Sequence, residues 1–509
     1  SWMNTSLGNP GAVTASGSEL LGAYEFAGSG TGRTGNSTPQ SIYYKAIAPR
    51  LGLAYSLTPN TVIRSAYGIY YSPIIVNGFA QVESTGFSNS CRLAAASSTT
   101  TPIIQPDQMT GYPCISPPFI DPTISNGAIG GSPSTILSNT VEPGRIQNWN
   151  LDIQHQFARD FVVDVAYVGA HGDHLQAEQR APNQLPVQDL SYGACLNVLI
   201  TQQSTNPACA GKANVPIPYA NFLSDWGSAA TVGQALRPYP QYTDLQLDNA
   251  EEGNPFGFYT YEALQVKVTK RFSNGLTFLA GYAWAKTLTN ADGAYPPEGG
   301  WNNQDQVGVQ NNYNATAEKA LSAQNVPQWF VLSYSYELPF GKGKPLLNQG
   351  GVANAVLGGW KVAAIQTYES GTPISINCAG DYTSGLFNPS CRSNVVSGVS
   401  TSYANTSSNY GQIYAFNPAA FTEPANYTLG DAARIMSIYE RPTLNEDISL
   451  QKNFSILEKV NATFRMEAFN AFNRHRFNSI DNTVTDPGFG TYNGVTGNRT
   501  MQASLRLSF

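Results

Sequence analysis

Apolar and polar residues alternate with a period of two in many separate stretches of the chain, a pattern that predicts strands with one greasy and one polar side. In 501–509, Met501, Ala503, Leu505, Leu507 and Phe509 fall on one side, with Gln502, Ser504, Arg506 and Ser508 on the other. In 460–468, Val460, Ala462, Phe464, Met466 and Ala468 oppose Asn461, Thr463, Arg465 and Glu467. In 264–272, Leu264, Val266, Val268 and Phe272 oppose Gln265, Lys267, Thr269 and Arg271. Eleven such strands are expected, at about 48–57, 61–73, 146–158, 161–171, 258–273, 276–290, 326–338, 358–372, 441–453, 459–472 and 498–509. The alternation in 358–372 is the least regular of these.

The connections alternate in length. Short ones fall at Thr58–Asn60, Arg159–Asp160, Asn274–Gly275, near Gly341–Asn354 and at Ile456–Lys459, and Asn-Gly is the strongest two-residue hairpin signal. Long ones span about 74–145, 172–257, 291–325, 373–440 and 474–497 and are rich in Gly, Ser, Asn and Pro. Tight turns at one end and long loops at the other are the habit of antiparallel transmembrane β-barrels. If the tight turns share one side, the direction of every strand is consistent. The alternating stretch Tyr242–Leu247 breaks that parity as a wall strand, so it is assigned to a hairpin within a long loop. A β-sandwich also alternates, but it turns every 8–12 residues or so. The five long connections and the Tyr, Phe and Trp on the apolar side favour a membrane wall.

Composition sharpens the picture. Charged residues make up 12% of the chain, about half the roughly 25% of soluble proteins, and aromatic residues 11%, led by 28 Tyr. The 28 Lys and Arg against 34 Asp and Glu give a net charge of −6 with no basic run, which argues against nucleic acid as a partner. No apolar run of about 18 residues predicts a transmembrane helix, but a barrel strand needs only about 9–11 residues of alternation. The chain opens at Ser1 in what reads as a loop, with neither an initiator Met nor a signal peptide, and is expected to be a fragment or a processed product.

Six cysteines lie at 91, 114, 195, 209, 378 and 391, each adjacent pair inside one long loop and none spaced Cys-x-x-Cys. Zinc and thioredoxin-like chemistry are thereby disfavoured. The expectation is three local disulfides, Cys91–Cys114, Cys195–Cys209 and Cys378–Cys391, in an oxidising compartment.

Other chemistry is sparse. His171–His174 reads His-Gly-Asp-His at the end of a strand, where a polar turn is a simpler reading than a metal site; His475 reads as a strand-end residue beside Arg474 and Arg476. Gly341–Lys344 lacks the spacing and the Ser/Thr of a phosphate loop, and no Gly-x-Ser-x-Gly elbow occurs. Asp292–Asp305, with Glu298, carries oxygen ligands of the kind calcium takes but not EF-hand spacing, so a solvated loop is preferred. Asp292, Tyr295, Glu298, Trp301 and Asp305 form a candidate ligand-facing loop, since Tyr and Trp suit stacking on sugar or peptide. Asp164, Lys267, Arg271, Arg465, Glu467 and Arg506 are expected on the polar side of the wall. No catalytic residue, cofactor or metal site is assigned.

Several segments resemble the C-terminal barrel of Oar-like TonB-dependent receptors: "APRLGLAYSLTPNTVIRSAYGIYYSP" (48–73), "IQNWNLDIQHQFARDFVVDVAYVGAHGDHL" (146–175), "ALRPYPQYTDLQL" (235–247), "YEALQVKVTKRFSNGLTFLAGYAWAKTL" (261–288), "LGGWKVAAIQTYESGTPIS" (357–375) and "RMEAFNAFNRHRFN" (465–478). The chain also ends on Phe509, as do many outer-membrane proteins whose last strand is read by the assembly machinery. The resemblance implies an all-β fold, with these eleven strands as the C-terminal half of a 22-stranded plugged barrel and the plug and N-terminal domains outside the chain. It implies a receptor or transporter in the Gram-negative outer membrane that is not an enzyme. Its partners would be the lipid bilayer, an unidentified nutrient, and the TonB complex through the missing N-terminal parts. A structural or adhesive barrel without transport is the alternative, and a soluble secreted β protein a third.

Overall fold

In the computed structural model of the chain, the described residues are 2–26, 28–30, 33–36, 43–71, 130, 134–135, 142–175, 183–243, 245–247, 257–290, 310–311, 313–348, 350–378, 391–403, 413–457 and 460–509. They fall into two compact units. One is built from Ser1–Tyr44, Ile74–Glu142 and Gln179–Asn254, the other from Lys45–Pro73, Pro143–Glu178 and Pro255–Phe509.

The second unit carries the long strands: β1 (Arg50–Thr58), β2 (Thr61–Tyr71), β3 (Arg145–Ala158), β4 (Phe161–Leu175), β5 (Gly257–Ser273), β6 (Leu276–Thr289), β7 (Gln328–Glu337), β8 (Trp360–Glu369), β9 (Thr443–Leu457), β10 (Val460–Phe469) and β11 (Thr500–Ser508). They form one sheet in chain order, each antiparallel to the next; the two-residue strand Ala320–Leu321 adds to the loop end of β6. Val, Ile, Thr and Tyr populate these segments because their side chains pack well on a pleated surface. The turns are local. Asn274 and Gly275 take φ of 51° and 82°, the conformation that a two-residue hairpin loop needs and that Asn-Gly adopts with least strain. Among the described residues, β1 and β11 have a neighbour on one side only. Because direction alternates along an odd number of strands, these two edges run the same way.

The long connections of this unit contain packed structure of their own. Ile374, Ile376, Phe416, Ala420, Phe421 and Phe489 form a small core, with Phe416 in edge contact with Phe421 and Phe489. Two short antiparallel pairs accompany it, Asn394–Val395 with Phe421–Thr422 and Arg476–Ile480 with Tyr492–Thr496. A second, smaller cluster joins Ala320, Leu321 and Ile435.

The first unit departs most from the sequence expectation. The opening of the chain is not a loop: Trp2–Val13 pairs with Glu19–Glu25, and its register breaks twice, between Asn4 and Gly8 and between Asn9 and Val13. The Gly8-Asn9-Pro10-Gly11 run that hides the strand from a period-two reading accompanies those irregularities. Tyr242–Leu247 is not a hairpin. Among its described residues only Gln246–Leu247 is a strand, in parallel pairing with Ser134–Thr135, while Tyr242 and Leu245 are buried with Met3, Tyr24 and Phe26. A larger core gathers Cys195, Val198, Ile200, Tyr219, Phe222 and Val232 around the 3-10 helix Val187–Asn197.

Candidate functional surfaces

Cross-strand register assigns each side chain of the sheet to a face, since directly opposed residues share one. A continuous row runs Tyr55, Ile63, Ile153, Val165 and Val266 across the first five strands. It continues as Tyr282 and Phe330, and then as Tyr368 and Leu444. Nearer the tight turns, Val362, Leu450, Met466 and Ala503 stand in line. This apolar face is exposed in the chain: Leu51 is 71%, Trp284 60% and Leu505 66% accessible. The indole of Trp149 occupies the space beside Gly169 on the adjacent strand, where any side chain would collide with it.

The other face is polar. Arg64 meets Asp152 at 3.5 Å and Gln154 at 3.0 Å, and Asp164 stands opposite Lys267. Arg465 pairs with Glu467 and donates to Ser449 Oγ at 3.1 Å, while Gln502 donates to Glu467 at 2.6 Å. Arg506 is opposite Thr463 in the same file, whereas Arg271 lies where the register between β5 and β6 shifts, so pairing does not assign it to a face. Exposed pairs of this kind contribute about 0–1 kcal/mol each, so they leave a wettable wall and do not hold it together. Leu279, Trp329, Val331 and Ile365 are among the apolar exceptions on this face, and Ile365 here with Gln366 on the apolar face is why the alternation in 358–372 reads poorly.

At the loop end of β3 and β4, Arg145 grips Asp173 with two parallel hydrogen bonds, Nε to Oδ1 at 3.0 Å and Nη2 to Oδ2 at 2.7 Å. His174 Nδ1 lies 2.7 Å from the same carboxylate and His171 Nε2 3.9 Å away. The sequence places His171–His174 in a turn, but β4 extends to Leu175. Among the described residues no group of three or more His, Cys, Asp or Glu is arranged to hold a metal.

Within the long connections of the second unit lies a polar knot that the sequence does not reveal. Arg392 donates to Glu318 Oε2, and both side chains are nearly sealed from solvent, at 5% and 2% exposure. Glu318 Oε1 also accepts from the backbone N–H of Gln310 at 3.2 Å. Arg434 donates to the carbonyls of Glu318 at 3.1 Å and Thr289 at 2.8 Å. Burial pulls the Arg392 guanidinium below its ordinary value while Glu318 holds it up. The partners sit 74 and 116 residues apart, so no local spacing signals them.

Two of the expected cysteine pairs are disulfides, Cys195–Cys209 with Cα atoms 4.7 Å apart and Cys378–Cys391 at 5.5 Å. Cys91 and Cys114 lie outside the described residues, as do Asp292, Tyr295, Glu298, Trp301 and Asp305.

The sheet with one exposed apolar face, one polar face, and tight turns opposite long loops matches the family of outer membrane beta barrel domains over residues 3–502. The chain belongs to this family. The apolar face of this outer-membrane chain is therefore the one that meets lipid, which replaces the protein core such side chains otherwise require. Its strands do the crossing; among the described residues no helix is long and apolar enough to do so. No curated protein sequence matches the chain. Solved structures that it resembles include the ferripyoverdine receptor of the Pseudomonas aeruginosa outer membrane (11% identity, TM-score 0.34, covering 91% of this chain and 32% of that one). The FrpB iron transporter from Neisseria meningitidis is similar at 10% identity and TM-score 0.34, covering 91% of this chain and 38% of that one. The ferric citrate transporter FecA gives 9% identity and a TM-score of 0.36, with 90% and 38% coverage. The chain thus spans about a third of the length of these structures.

Proposed function

We propose that this chain is the barrel portion of a TonB-dependent receptor of the Oar-like kind, which takes up a nutrient across the outer membrane and is not an enzyme. The observation that supports the reading is the pair of edges, β1 and β11, that have no second strand neighbour among the described residues. β1 and β11 run in the same direction, so an all-antiparallel wall closes only through an odd number of further strands. Strand edges left open are costly, and in a membrane they are not tolerated. A 22-stranded wall supplies eleven more strands, an odd number, and barrels of that size carry a plugged lumen. The six segments quoted above support the subtype. On this reading the polar face lines the lumen, the long loops capture the ligand outside, and the plug and the TonB-contacting segment belong to parts of the receptor outside these 509 residues. TonB then supplies the force that displaces the plug.

The test is the structure of the full-length protein in lipid nanodiscs, joined to a growth assay on candidate nutrients with and without a functional TonB complex. A 22-stranded wall around a plug, with growth that depends on both the protein and TonB, is the expected result. A closed barrel of other size without a plug, or growth indifferent to TonB, overturns the transport reading and favours a structural or adhesive barrel.

A further inference from the structure

Three of the turns at the tight-turn end, at 59–60, 159–160 and 274–275, are two residues long, but the connection from β7 to β8 is not. Leu338–Gly359 contains the helix Val352–Leu357, and its apolar side chains face outward: Val352 is 80%, Val356 58% and Leu357 48% exposed, with Leu346 at 50% and Leu347 at 48%. A turn meant for water does not gather five large aliphatic residues at its surface.

The side of the sheet on which the helix ends is fixed by Lys452. This residue stands opposite Trp360 on the apolar, lipid-facing side, yet it is only 2% exposed. Its ammonium donates to the carbonyls of Val356 at 3.0 Å and Gly358 at 2.6 Å, and it lies 5.1 Å from the ring centres of Trp360 and Phe454. Trp360 Nε1 donates to the Val356 carbonyl at 2.9 Å. A cation at the helix C-terminus satisfies its last carbonyls and complements the dipole. The helix end is thereby pinned to the lipid side of the wall beside Trp360, with the exposed residues of the segment next to that face.

We propose that Leu338–Gly359 is an interfacial anchor that lies in the periplasmic leaflet of the outer membrane. Val352, Val356, Leu357, Leu346 and Leu347 enter the acyl region, and Lys342 stays at the level of the phospholipid headgroups. Continuity with the lipid-facing wall selects phospholipid as the occupant, and a short amphipathic segment beside an interfacial Trp is the form such anchors take. The inference requires the outer-membrane placement of the chain with its tight turns toward the periplasm, as outer-membrane barrels have them, and is independent of what is transported.

The experiment uses the full-length protein in phospholipid vesicles, with a nitroxide attached in turn to Val352→Cys, Val356→Cys, Leu357→Cys and Lys342→Cys. Leu505→Cys on β11 sets the lipid limit. Collision with oxygen and with a water-soluble nickel chelate is compared at each position. Positions 352, 356 and 357 are expected to approach the Leu505→Cys ratio and to exceed the Lys342→Cys ratio severalfold. Chelate access equal to that at 342 places the segment in water, and protection from both reagents places it under another protein; either result overturns the proposal. A gel shift between unheated and boiled samples verifies that each labelled barrel is folded. The unlabelled variant Lys452→Met gives a second reading: trypsin cleavage after Lys342 in vesicles is expected to rise as the helix end loses its tether, and an unchanged rate counts against the pinning.

Discussion

The wall and the loop cores of this chain obey opposite rules with the same residues. In the wall, Leu51, Trp284 and Leu505 are more than half exposed while Asp164 and Lys267 stand together on the opposite face. In the loops, Phe416 and Phe222 are fully buried, and the charges that enter the interior are hydrogen-bonded, as in the set around Glu318 and at Arg237, which donates to the Asn183 and Thr243 carbonyls. The difference is one of solvent. A loop core must supply its own apolar surroundings, whereas the wall borrows them from lipid and can leave its large side chains without a protein partner. What stabilises the two regions should therefore respond to different insults.

The largest effect is expected in the loops. Glu318→Ala removes the carboxylate that pairs with the buried Arg392 guanidinium and should cost about 3–5 kcal/mol. Hydrogen exchange should accelerate at 318–322 and 432–436 and leave β9 and β10 unchanged; a uniform change would erase the distinction drawn above. In the wall, Val266→Arg should cost about 2–4 kcal/mol in vesicles. Lys267→Ala, one residue on and facing the other way, should fall within about 0.5 kcal/mol of the parent in the same urea titration. Equal costs at 266 and 267 would mean that the faces are misassigned. The Cys195→Ala, Cys209→Ala double variant should lose about 3 kcal/mol or less, confined to the core around Phe222 and Val232, since the bridge closes a loop of 14 residues. Chymotrypsin cleavage within 183–245 reads this directly. The smallest effect belongs to the turn at Asp160. Hydrogen bonds from Lys270, at 2.6 Å, and from Ser273 hold its carboxyl at about 2, below the ordinary 3.8. A depressed carboxylate contributes stability that is complete above pH 3.8 and fades as pH falls through about 2. Asp160→Asn should abolish that acid-dependent step, with the parent's Asp160 titration followed by carboxyl NMR, and should lose the same small stabilisation at neutral pH in a urea titration.

The wall was legible in the sequence because its information is local. Each strand states its two faces in nine or more consecutive residues, and turns such as Asn274-Gly275 state their own geometry. Where a face carries an exception, as at Ile365, the reading blurs. The loop structure was not legible, because its determinants are distant pairs. Glu318 and Arg392 look like ordinary surface charges until the fold brings them together, and Lys452 looks misplaced on an apolar face until the helix that covers it is seen. The strand Trp2–Val13 was missed for a third reason, since bulges and Gly-Pro content break the alternation that reveals the others. The disulfides were the exception among loop features, being short-range in sequence.

The connectivity of the first unit has a consequence for the order in which the molecule can assemble. Every strand of the wall adds to the one made just before it, so the wall can grow hairpin by hairpin from contacts close in sequence. The first unit is drawn from three stretches separated by the β1–β2 and β3–β4 hairpins. Its innermost ties, such as the Tyr242 hydroxyl on the Gly22 carbonyl at 2.7 Å, close a separation of 220 residues. Such long-range closure is slow. Met3, Tyr24 and Phe26 must wait for Tyr242 and Leu245 to be synthesised and exported before they can be covered. The interval before that closure, more than the formation of the wall, is when the chain is most exposed to misassembly and most in need of escort.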